Sequence, residues 1–127
     1  MIISEVSKKL GITVRAIRHY EELGLIKSAR ADNNYRTYNK DTFDKIKFLA
    51  RGRRLGFSIN ECRILLHLFN NKNRSSSEVR SIAEEKIIKL ASQIKELQDL
   101  KDSLVWLTNK CPGDNKPNCP ILDELAN

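Results

Sequence analysis

Residues 77–109 contain no proline and no glycine, and this unbroken stretch limits the fold of the chain more than any other feature. Within it a 4-3 spacing runs through Ala83, Ile87, Leu90, Ile94, Leu97, Lys101 and Leu104, apolar except at Lys101. That spacing is the seam of a coiled coil. A helix of about 30 residues is about 45 Å long, and the small domain left over from 127 residues cannot cover such a stripe. The seam therefore predicts a second copy of the chain, a homodimer, with an intramolecular helix pair as the alternative reading. Leu100 lies beside Lys101, so the pairing is expected to shift there.

Charge divides the chain in a second way. Residues 1–56 carry 13 Lys/Arg against 6 Asp/Glu, whereas residues 57–127 carry 10 against 10, so the formal charge of +7 belongs to the first part. Such a region attracts a polyanion. Nucleic acid fits better than an anionic membrane, because the basic residues sit among turn signals and aromatics and not along one amphipathic helix, with a merely soluble basic surface as the alternative reading. No apolar run approaches the ~20 residues of a membrane span. The opening MIISEVSKKLGI lacks the basic-then-apolar pattern of an export signal, which leads to the expectation of a cytoplasmic protein with no membrane partner. An enzyme is not expected: His19 and His67 fall in separate predicted helices, and no glycine-rich phosphate loop occurs.

The basic part reads as a helix-turn-helix. Ser4 is the expected cap of a short helix that turns Val6 and Leu10 inward; Gly11 supplies the turn, Thr13 caps a second helix through Leu23, and Gly24 ends it. Ile12, Ile17 and Leu23 form its apolar side. Arg15, Arg18, His19 and Tyr20 fall where a recognition helix presents its outer face, although a generic helical hairpin has a similar pattern. Asn33 and Asn34 then signal a turn before the alternating Tyr35, Arg36, Thr37 and Tyr38, which predicts a small wing over residues 29–38. An arginine between two tyrosines can pair with phosphate while the rings pack on sugar or core; a surface loop with core tyrosines is the alternative. A helix over 41–55 follows, with Phe43, Ile46 and Leu49 inward and a basic end at Arg51, Arg53 and Arg54. Gly56 closes it. Ser58 and Glu61 form a capping-box pattern for the next helix, whose apolar residues include Cys62, Leu65, Leu66 and Phe69. Cys62 is expected in the core as a small apolar thiol.

The other two cysteines bracket a stiff loop, CPGDNKPNC, with seven residues between Cys111 and Cys119. Prolines reduce its freedom and the glycine permits a reversal, so two sulfurs can face each other with little entropy left to lose. Zinc normally takes four ligands, and the two histidines lie far upstream. Two thiolates alone suit a monovalent soft ion such as Cu(I). A disulfide, a redox pair and two inert thiols are all compatible with the same spacing.

Taken together, VRAIRHYEELGLI (residues 14–26), NNYRTYN (33–39), RGRRLGFSINE (51–61), the long helix and KCPGDNKPNCPI (110–121) resemble the MerR family of bacterial regulators. The likeness is strongest to its copper-efflux-regulator branch. It implies a mainly α protein: a winged helix-turn-helix DNA-binding domain over 1–70, a dimerisation helix over 76–109 that pairs as an antiparallel coiled coil, and a metal-binding loop with a short terminal helix over 110–127. It assigns DNA contacts to Arg15, Arg18, Tyr20, Tyr35 and Arg36, and metal ligation to Cys111 and Cys119. Divalent-metal sensors of the family typically carry a further cysteine at the start of the dimer helix, where this chain has Ser75, Ser76 and Ser77. The resemblance thus implies Cu(I), with Ag(I) or Au(I) as mimics, and an activator that distorts promoter DNA for RNA polymerase. Within the wing the chain departs from the family twice: Asn34 stands where glycine is usual, and the segment before it is one residue short.

Overall fold

Thr13, Asn39 and Ser58 each precede a helix, and each accepts a hydrogen bond from the backbone N–H three residues on, at Ala16, Thr42 and Glu61. These caps satisfy amide groups that have no partner inside the helix. They set the starts of α2 (Val14–Glu22), α3 (Lys40–Arg54) and α4 (Ile59–Asn70). At Ser58 the capping box is complete, since the Glu61 carboxylate also accepts from the Ser58 N–H at 2.8 Å. The structure is a computed structural model and describes residues 1–30 and 35–127. Its remaining elements are α1 (Ile3–Leu10), β1 (Ala29–Arg30), β2 (Arg36–Thr37), α5 (Ser76–Lys110) and α6 (Pro120–Ala126).

The chain forms two compact units, Met1–Val79 and Arg80–Asn127. In the first, α1 and α2 meet at a turn where Gly11 takes φ 65°, and β1 pairs antiparallel with β2, Ala29 opposite Thr37 and Arg30 opposite Arg36. This is a winged helix-turn-helix. The predicted turn residues Asn33 and Asn34 lie outside the described residues. Ser4 is not the cap of α1 but lies inside it; Ile2 precedes the helix with no side-chain cap, and pairs with Thr37 as an isolated antiparallel bridge. The Tyr38 N–H donates to the Met1 carbonyl at 2.7 Å, and the terminal ammonium donates to the Tyr38 carbonyl at 3.0 Å. A long-range strand contact therefore starts α1, which a local capping rule does not anticipate.

Val6, Ile17, Tyr20, Ile26, Tyr38, Ile46, Leu49, Cys62 and Leu66 make the core of this unit. Leu23, expected on the apolar side of the helix-turn-helix, is exposed, as is Phe69, although the Phe69 ring lies 5.3 Å from that of Phe48. Where α3 crosses α4, a Cβ at Gly52 would stand 2.6 Å from Cys62 Sγ, so glycine is required there for the helices to approach. Cys62 is fully buried, as expected for a core thiol. Arg54 ties the end of α3 to α1 by donating to the Leu10 carbonyl at 2.9 Å.

In the second unit α5 continues the helix begun at Ser76, and its 35 residues span about 52 Å. None of them is buried. Ile87, Ile94, Leu97 and Leu104 of the predicted seam are all more than half exposed. A loop with Gly113 at φ 64° leads to α6, whose first residue is Pro120. No helix among the described residues is long and apolar enough to cross a membrane.

Candidate nucleic-acid interface and metal loop

The second helix of the helix-turn-helix exposes Arg15, Arg18 and His19, with Arg15 and Arg18 one turn apart on one face. Tyr20 belongs to the opposite face. It lies three residues after the buried Ile17, shares its stripe, and is 6% exposed. The expectation that it sits on the outer face is corrected by this helical period, which was legible in the sequence. Burial raises the Tyr20 pKa, with Arg53 pulling it back down.

Tyr35 and Arg36 lie on the wing, and both are exposed. The guanidinium of Arg36 pairs with Glu21 of α2, Nη1 to Oε2 at 3.0 Å. The other carboxylate oxygen accepts from the Ser28 N–H at 3.2 Å and from the Ser28 hydroxyl. Glu21 therefore joins α2 to both sides of the wing. Nothing local in the sequence signals this, since Ser28 and Arg36 are seven and fifteen residues away. At the end of α3, Arg51, Arg53 and Arg54 are also exposed, adding positive charge to the same unit.

In the second unit the loop brings its two thiols together. Cys111 and Cys119 are free and half-buried, and the Cys111 S–H points to Cys119 Sγ at 3.9 Å. A disulfide would need about 2.05 Å. Metal–thiolate bonds of about 2.3 Å from each side span up to about 4.6 Å, so one ion can reach both sulfurs. The Cys119 pKa lies below that of an ordinary thiol. Its principal cause is the backbone N–H of Leu122, helped by the Ile121 N–H and the Cys111 thiol and opposed by desolvation and by Asp123. Thiolate, the form that ligates soft metals, is thus favoured at that position. Among the described residues no group of three or more His, Cys, Asp or Glu side chains is placed to hold an ion.

Residues 3–38 match the family model described as MerR family regulatory protein, and residues 43–107 match the one described as MerR, DNA binding. The chain belongs to the MerR family. A MerR relative, the HTH-type transcriptional regulator HmrR of Rhizobium leguminosarum bv. viciae, is 44% identical over 99% of this chain and 98% of its own. Another, the HTH-type transcriptional regulator CueR of Salmonella typhimurium, is 42% identical over 99% of this chain and 92% of its own. Among solved MerR-type folds, the transcription regulator PbrR691 from Ralstonia metallidurans, in complex with lead(II), superposes with a TM-score of 0.79. It is 30% identical, and the match covers 98% of each chain. As a MerR protein the chain is a DNA-binding transcription regulator and not an enzyme.

Proposed function

We propose that the protein is a cytoplasmic, homodimeric, Cu(I)-responsive activator of copper-detoxification promoters. One observation carries the choice of signal: two free thiols 3.9 Å apart with no third donor grouped beside them among the described residues. Ser75, Ser76 and Ser77 occupy the start of α5, where divalent sensors of the family typically place another cysteine. Ser75 instead caps the helix through the Glu78 N–H, at 3.4 Å. Bound between Cys111 and Cys119, Cu(I) would supply a soft, low-coordinate link between the two ends of the loop, and Ag(I) or Au(I) would mimic it.

Arg15 and Arg18 enter the groove of the operator, while Tyr35 and Arg36 hold the flanking phosphates and Tyr20 supports α2 from beneath. The α5 seams of two protomers pair as an antiparallel coiled coil. Closing the Cys111–Cys119 loop at the far end of each α5 favours one relative orientation of the protomers over another. The duplex then bends and untwists so that RNA polymerase can engage both promoter elements. Such deformation costs on the order of 1–6 kcal/mol, which the difference in protein contacts between the two states must offset.

The test is a metal titration of transcription in vitro from the protein's own upstream promoter. Cu(I) is expected to activate at lower free concentration than Zn(II) or Hg(II), and the reverse order would overturn the metal assignment in favour of a divalent sensor. Activation by a thiol oxidant without metal would instead make the pair a redox switch. Cys111→Ser and Cys119→Ser are each expected to abolish the metal response while operator affinity stays within about twofold of the parent.

A further inference from the structure

Glu21 lies in the last turn of α2 with a side chain only 19% exposed, and its two oxygens serve different parts of the wing. Oε1 takes the Ser28 N–H and hydroxyl just before β1; Oε2 takes Arg36 Nη1 at the start of β2. We propose that Glu21 is a positioning residue for DNA recognition: it holds the Arg36 guanidinium against the recognition helix, so that the wing's phosphate contact and the groove contacts of Arg15 and Arg18 keep one fixed spacing. The inference rests on the reading of Arg36 as a phosphate contact.

Three features support it. A guanidinium has five N–H donors in a rigid fork, so pairing one edge with Glu21 leaves others for a phosphate, and the pair aims Arg36 without competing for it. The hydroxyl of Tyr38, on the 1% exposed residue that follows the wing, has no hydrogen-bond partner among the described residues. Its pKa is raised by burial first and by Glu21 second, and lowered by Arg36 and Arg18, so the three charged groups all lie within electrostatic reach of the buried Tyr38 ring. An ion pair there resists screening better than one in open solvent.

Electrostatics alone makes the opposite forecast. Removing a carboxylate near DNA should strengthen binding to a polyanion, whereas loss of a positioning group weakens it. Operator affinity is therefore measured on the full-length dimer for Glu21→Gln, Arg36→Ala and the double variant, with thermal unfolding as a control. Arg36→Ala is expected to weaken binding about tenfold and Glu21→Gln about fivefold, with the double variant no weaker than Arg36→Ala alone. If Glu21→Gln binds as tightly as the parent or tighter, or if the two effects multiply, the positioning role is overturned. If Arg36→Ala itself leaves affinity unchanged, it is the phosphate reading that fails. Should Glu21→Gln not fold, Ser28→Ala decides, since it removes one hydroxyl and no charge: a smaller loss of affinity in the same direction supports the role, and unchanged affinity overturns it.

Discussion

The two units of this chain hold similar proportions of apolar residues and use them in opposite ways. Met1–Val79 turns Val6, Ile17, Ile46, Leu49 and their neighbours inward and closes its own core. In Arg80–Asn127 no described residue is buried, and most isoleucines and leucines of α5 are exposed on the single chain along one long helix. The lesson concerns where stability comes from. The first unit carries its stabilising contacts within itself, whereas a repeating apolar stripe on a single helix is stable only against another surface of the same period.

The sharpest way to break that contrast is to charge the stripe. Ile94→Glu with Leu97→Glu should convert dimer to monomer in sedimentation velocity and weaken operator binding on the order of 100-fold, because two linked half-site contacts become separate events. A charged variant that still sediments as a dimer would sink the seam. Gly52→Ala tests the other side. It should destabilise the first unit by about 2 kcal/mol in chemical denaturation through the clash with Cys62 Sγ, despite the better helix propensity of alanine, and leave the dimer intact. Adding Cys62→Ala should recover part of the loss; no recovery would place the strain elsewhere. Arg18→Ala should reduce operator affinity about tenfold in a fluorescence-anisotropy titration and leave metal uptake unchanged, the reverse of the cysteine variants. The smallest effect is expected at Ser58→Ala, about 1 kcal/mol of stability by thermal melt, from loss of its bond to the Glu61 N–H.

What the sequence reveals follows the range of the interactions involved. The Ser58–Glu61 box, the Thr13 cap, the Cys111–Cys119 loop and the unbroken α5 depend on residues close in the chain, and each is legible. The start of α1 is misread because its surroundings are set by a segment far away: Ile2 pairs with Thr37, and no local pattern shows it. Tyr20 is a different case. Its place beside Ile17 follows from a period of three to four, but its membership in a basic, aromatic cluster suggested a surface role. Glu21 carries no signal at all in one dimension, being a single carboxylate whose partners become neighbours only when the wing folds back on α2.

The crossing at Gly52 also separates the three thiols by kinetics. Cys62 is sealed beneath a helix contact too close to admit even a methyl group, whereas Cys111 and Cys119 lie in a half-open loop. A pulse of alkylating reagent should therefore modify two sulfurs at once and the third only when the first unit opens. Cys62 is in this sense a built-in clock, whose rate of labelling reports how long the DNA-binding fold stays shut.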